Sequence, residues 1–216
     1  MLRERHIIDT FKLATAPVVL GLMLAWQATG RTAPWIYLGL HGTYGALWFA
    51  KSRIFGDKNW ERPCTPKRGL FLVGGLTGYW AAPFLLIVQG VDPPPPVLCA
   101  CVALFGGGVF LHFASDMQKH TSLTLRPGVL ITEGLWARTR NPNYLGELLI
   151  YLSFATMSLH WLPFAVFGSA IAVEWIPNMR RKDASLSRHS GFAAYKARTG
   201  VLFPRLFGRG AVQDTP

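Results

Sequence analysis

Asn143 and Glu147 stand four residues apart in the stretch RTRNPNYLGE (138–147), which runs directly into the apolar segment LLIYLSFA. That spacing puts an amide and a carboxylate on one helical face, with Glu147 about one turn inside a segment of membrane composition. An ionisable group is costly there unless it meets a partner or a wet cavity. Glu147 is therefore either half of a structural salt bridge or a group that faces a ligand. Two more pairs repeat the spacing: His112 with Asp116 in HFASDMQKH, and Glu174 with Asn178 in EWIPNMRRKD. Arg180, Arg181 and Lys182 follow at once. Guanidinium groups suit phosphate or carboxylate, while amides and carboxylates suit hydroxyls and amide edges. Three helix ends of this kind on one membrane face point to a large phosphate-bearing cofactor held between helices. Plainer readings compete for some of the same residues. Asn141 and Pro142 make a good helix start, and Arg138, Arg140 and the 180–182 run read equally well as groups at the lipid headgroups.

A second constellation lies upstream. Tyr37, His41, Tyr44 and Trp48 recur at intervals of four, three and four, one stripe of a helix. Such stripes pack or anchor, but Tyr and His can also hand a proton to a carbonyl, which makes His41 and Tyr44 the candidate catalytic pair. No metal site is expected, because neither His-Glu-x-x-His nor paired Cys-x-x-Cys occurs. FGGGVF (105–110) lacks the context of a dinucleotide fingerprint or a P-loop, so close helix packing is its expected role.

These residues need elements to carry them. Half of the 216 residues are hydrophobic, 15% are charged and the mean hydropathy is +0.26, a membrane composition rather than that of a soluble globule. Six apolar segments are predicted, near 10–28, 34–51, 69–90, 95–115, 143–160 and 162–178, the last two joined by the tight turn LHWLP. All but one of the 22 Lys and Arg fall on one side of this layout, with Arg31 alone opposite. That is the positive-inside pattern for cytoplasmic N and C termini. The net charge of +11 thus reads as topology, and no nucleic-acid partner is expected. The expected fold is all-α: a single helical membrane domain over 1–216 with a cytoplasm-facing pocket, in a bacterial inner membrane or one of endoplasmic-reticulum type.

GLWARTRNPNYLGELL (134–149) resembles the C-terminal signature of a membrane superfamily that includes steroid 5-alpha-reductases, sterol C14 reductases, isoprenylcysteine carboxyl methyltransferases and phospholipid methyltransferases. The reductases use NADPH and the methyltransferases S-adenosylmethionine. SDMQK followed by LRPG is similar to the reductase pattern. The resemblance implies cofactor contacts from Asp116 and Arg126, and from Asn143 and Glu147 in the shared core. RRKDASL (180–186) is similar to the reductases' Arg-x-Lys-Glu, which implies Arg180 near phosphates and Asp183 at the acidic position, and the neighbouring Arg181 is a further candidate for phosphate. WERP resembles their Arg-x-Arg-Pro and offers Arg62. The match covers 111–205, the expected cofactor-binding region. The glutamate that holds a steroid carbonyl in an early span has no counterpart, since no Asp or Glu occurs between Asp9 and Asp57. The resemblance therefore implies an NADPH-dependent reductase acting on a membrane-dissolved steroid-, sterol- or isoprenoid-like enone or alkene. The alternatives are an S-adenosylmethionine-dependent methyltransferase of a lipid or prenylated acceptor, and a non-catalytic membrane protein that keeps the fold.

Overall fold

The computed structural model describes residues 2–205. Among them all regular structure is helical, with two isolated bridges, Arg3 to Pro63 and Thr139 to Gly200. In chain order the helices are α1 (Glu4–Ala25), α2 (Thr32–Ile54), α3 (Pro66–Gly78), α4 (Ala81–Val88), α5 (Pro95–Leu125), α6 (Pro142–Met157), α7 (Trp161–Ala170), α8 (Ile176–Leu186) and α9 (Phe192–Arg198).

Four rods are long and apolar enough to cross a bilayer: Glu4–Ala25, Pro66–Val88, Pro95–Leu125 and Trp161–Leu186. They account for four of the six predicted segments. The other two are present as helices of a different character. The 23 residues of α2 are long enough, but its inward face carries Tyr37, His41 and Tyr44 in place of aliphatic side chains. The 16 residues of α6 reach only about 24 Å at 1.5 Å per residue, short of a hydrocarbon core of roughly 30 Å. The predicted boundaries shift as well. The first helix starts six residues before the expected position 10, and the 31-residue α5 runs ten past the expected 115.

Two rods are irregular. The second breaks at Tyr79–Trp80, between α3 and α4, just ahead of Pro83, whose ring and missing N–H do not favour an uninterrupted helix. The last widens into a π-turn at Ile171–Trp175 between α7 and α8. Pro177 follows, and without its N–H the carbonyl four residues back loses a regular helical donor. A widened turn is one way a helix absorbs that loss.

Glycines set how closely the rods approach. A Cβ on Gly146 would stand 2.3 Å from the His112 backbone nitrogen, and one on Gly108 would stand 2.7 Å from the Gly146 carbonyl oxygen. Of the three glycines in FGGGVF only Gly108 seats α6 against α5, since a Cβ on Gly106 or Gly107 would meet nothing within 4 Å. Gly45 does the same for α1 and α2, where a Cβ would stand 2.2 Å from the Lys12 carbonyl oxygen. Arg31, the cation set apart by the charge pattern, caps α4 by donating to the carbonyls of Leu86 (3.1 Å), Ile87 (3.2 Å) and Val91, a use of arginine suited to a helix C-terminus.

The packing predicts that Gly146→Ala lowers stability by about 1–3 kcal/mol, the usual cost of overpacking. Gly39→Ala is the control, because a Cβ there meets nothing within 4 Å. Thermal unfolding in detergent checks both, with a fall in melting temperature expected for the first and none for the second.

Candidate functional site

A cavity of about 370 Å³ lies between α1, α3, α6 and the α7–α8 rod, within the roughly 300–1,000 Å³ of small-molecule sites, and is the candidate site. Glu147 and Lys12 lie on its wall with Tyr79, Tyr144 and Tyr151, and Arg68, Glu174 and Asn178 complete the polar lining. Most of the remaining lining is apolar or aromatic. The break after α3 lets Tyr79 stack on Tyr151, ring centroids 4.5 Å apart. The π-turn presents Glu174, which pairs with Arg68, and Arg68 in turn donates through Nε to Glu4 at 3.2 Å.

Lys12 is the cation of the inner wall. It is buried, and its ammonium donates to the Tyr151 hydroxyl. Four rings surround it: Tyr44 at 4.4 Å, Trp48 at 4.7 Å, Tyr151 at 5.0 Å and Tyr79 at 5.5 Å to the centroids. Aromatic faces attract a cation stripped of most of its hydration. No carboxylate among the described residues stands within ion-pairing distance of it. Glu147 shares the cavity and accepts a hydrogen bond from the Tyr44 hydroxyl at 3.3 Å.

Of the residues singled out in the sequence, Glu147, Glu174 and Asn178 meet at this cavity. Tyr44 reaches it through its bond to Glu147. His41 does not reach it; its Nδ1 lies 2.9 Å from the Tyr37 hydroxyl and its ring stacks on Phe154 at 4.1 Å. Asp116 is paired with Lys51. His112 joins the same lysine, with Nε2 at 3.4 Å from Nζ and Nδ1 at 3.1 Å from the Asn143 carbonyl oxygen. A carbonyl can only accept, so Nδ1 carries the proton and Nε2 accepts from Lys51. The side-chain oxygen Oδ1 of Asn143 is buried without a partner among the described residues.

The expected arginines do not gather in one chamber. Arg126 is exposed and paired with Glu133, whose carboxyl that bond holds below its ordinary value. Arg62 is exposed and donates to Asn59 Oδ1 at 3.1 Å. Arg180 and Arg181 are exposed on α8, and Arg181 donates to Asn178 Oδ1. Asp183 is held by Arg140 through two 3.0 Å bonds.

That pair belongs to a clasp over the start of α6. Arg140 is buried and also donates to the Thr199 carbonyl at 2.9 Å, so it is no headgroup anchor. Asn141 begins the helix without a capping bond of its own. Its side chain instead donates to the Val201 carbonyl at 2.8 Å and accepts from Lys182 at 3.1 Å. Tyr195 donates to the Trp136 carbonyl at 2.9 Å, and burial pushes its phenol up to about 12. These contacts come from α8, α9 and the segment that follows, Asp183 to Val201 included; residues 206–216 lie outside the described residues.

The sequence reading missed Lys12, Arg68, Tyr79 and Tyr151. Lys12 was legible in principle as a lone charge inside TFKLATAPVVL, a feature that marks function in membrane segments. The other three owe their places to the helix break, the π-turn and the register of α6.

The cage predicts that Lys12→Ala destabilises the protein and that methylammonium restores part of the loss by occupying the vacated space. Thermal shifts with methylammonium chloride against sodium chloride at equal ionic strength measure this, and no selective recovery is expected for the wild type.

A family model matches residues 85–199, more than half of the chain, and its description is Protein of unknown function (DUF1295). No curated protein matches the sequence.

Proposed function

The chain belongs to the DUF1295 family, which lies within the steroid 5-alpha-reductase-like superfamily, and from that premise we propose a membrane-embedded, NADPH-dependent reductase of a hydrophobic, bilayer-borne substrate carrying an enone or related double bond. The observation that carries this reading is the donor character of the cavity wall. The ammonium of Lys12 and the phenols of Tyr79, Tyr144 and Tyr151 line the space beside Glu147. Saturating a double bond takes a hydride and a proton, and a positioned N–H or O–H group can deliver the second. Methyl transfer from S-adenosylmethionine to a carboxylate requires no such donor.

The residues present are compatible with a nicotinamide cofactor. The unpartnered Asn143 Oδ1 suits a carboxamide N–H, and Glu147 suits a ribose hydroxyl. Arg180 and Arg181, exposed on the helix that supplies Asn178, suit phosphates. Asp116, Arg126, Asp183 and Arg62 are engaged with protein partners and leave the cofactor contacts to the groups above. When bound, the cofactor would supply the hydride. His41, sealed behind Tyr37 and Phe154, gives way to Lys12 and the phenols as proton donors, with Tyr44 orienting Glu147. The apolar lining of α3 and α7 suits a substrate dissolved in the bilayer. The charge pattern favours six membrane segments with both termini and the cofactor side in the cytoplasm.

Thermal shifts with NADPH and with S-adenosylmethionine test the reading on the purified protein. A ligand at a hundred times its Kd adds about 2.7 kcal/mol, so NADPH is expected to raise the melting temperature and S-adenosylmethionine to leave it unchanged. The reverse pattern would move the chain to the methyltransferase branch. Glu147→Gln is expected to weaken NADPH binding about tenfold or more, since hydrogen bonds to charged groups contribute roughly 1.5–3 kcal/mol, while the protein stays folded.

A further inference from the structure

We propose that a second, water-sized pocket bounded by Asp9, Ser52, Lys51, Trp48 and Trp60 binds an ordered water and forms a hydrated inlet from the aqueous face to the cavity. Its volume is about 20 Å³. A water needs roughly 10–15 Å³ of such space and two to four polar partners, and the pocket meets both demands.

Asp9 is the central partner. It is only 4% exposed. Its Oδ2 accepts from Ser52 Oγ and from Arg53 Nη1, each at 2.9 Å. Its Oδ1 is buried with no partner among the described residues. An unsatisfied buried carboxylate oxygen on the wall of a polar void is the ordinary setting of a structural water. Lys51 has three N–H donors and uses them on Asp116 and His112, which leaves one for the pocket. A metal ion is not the expected occupant, because no cluster of three metal-ligating side chains occurs among the described residues.

The pocket lies between solvent and the larger cavity. Arg5, Gly56, Asp57 and Glu61 form its outer edge. Burial alone would raise the Asp57 carboxyl, but Lys119 and the Asn59 N–H hold it below the ordinary value, and Arg3 and Arg5 pair with Glu61, so the mouth is lined by paired charges. Ile8, Trp48 and Trp60 line both spaces and form the partition between them. Lys12 follows Asp9 by three residues on the same face of α1 and lines the larger cavity on the far side of that partition.

The use of the inlet rests on the reductase reading; the water site does not. In that reading each hydride delivered must be matched by one proton. Lys12 gives a proton to the substrate and becomes a neutral amine, and the water held by the Asp9 carboxylate hands one on to it. A hydronium at the mouth gives that water its proton back, and the Asp9 carboxylate keeps its charge throughout. Charge balances over the cycle, with one proton drawn from the aqueous side for each double bond saturated.

Radiolytic hydroxyl-radical footprinting in oxygen-18 water, on the full chain in nanodiscs without cofactor, tests the site, since side chains beside bound water are oxidised fast despite burial. Trp48, 8% exposed, is expected to be labelled several-fold faster than Trp136, which is 3% exposed and borders neither space. Asp9→Leu should bring Trp48 down to the Trp136 rate while Trp175, on the larger cavity, keeps its own. Ser52→Leu fills the pocket from α2 and should do the same if Asp9→Leu does not fold. Equal rates for Trp48 and Trp136 in the wild type would overturn the proposal, as would a fast Trp48 that persists in a folded filled-pocket variant. Failure to bind NADPH would instead sink the reductase reading and leave the water site standing.

Discussion

One positive charge inside the membrane portion of the protein, the ammonium of Lys12, sets the terms for the rest. A lysine at the centre of a membrane helix costs about 2.5–3.5 kcal/mol on insertion scales. A desolvated cation over an aromatic face recovers about 2 kcal/mol or more, and Lys12 has four rings within 5.5 Å and a hydroxyl to donate to. The two magnitudes are comparable, so the cage can hold the charge without a carboxylate clamped onto it. The ammonium is thereby left with donors to spare on the cavity side. A lysine locked in a tight ion pair would be as stable and could do nothing there.

Holding that charge dictates the local architecture. The four rings come from three different rods, α2, the α3–α4 break and α6, and must converge on one point of α1. Gly45 permits the approach of α2, because any side chain there would strike the Lys12 carbonyl. Tyr79 arrives because α3 stops at Gly78 instead of running on. Tyr151 arrives because Gly146 and Gly108 let α6 sit tightly on α5. The break after α3 and the π-turn before α8 both border the cavity, and both stand close to a proline, Pro83 or Pro177, that removes a helical donor.

What could be read from the sequence follows the range of the interactions. The helical class and the segments were legible because hydropathy is local and summed over many residues. The pairs Asn143–Glu147 and Glu174–Asn178 were legible because a four-residue spacing fixes a face, and Glu147, Glu174 and Asn178 do meet at one cavity. The choice of partner was not legible. Asp116 and Asp183 carry the right charge for a cofactor site, but each is satisfied by a cation, Lys51 or Arg140, that lies 43 or more residues away in the chain. Lys12 was hidden in a different way. In a count of cations it is one more vote for topology, and only its burial among rings separates it from Arg3 and Arg5.

The fate of the arginines shows how the fold uses its excess of positive charge. Arg31 closes the end of α4, Arg68 ties the start of α1 to the π-turn, and Arg140 fastens α8 and the 199–201 segment over the start of α6. Each replaces a contact that apolar packing could not make at a helix end, where carbonyls and carboxylates need donors. Arg180 and Arg181 remain in water on α8. Charges in water are screened within about 8 Å at physiological salt, so they can guide a polyanion to the rim but hold it only weakly there. Inside the cavity the polar atoms of Glu147 and Lys12 stand among rings and apolar side chains, where a mismatched neighbour would leave one of them unpaired.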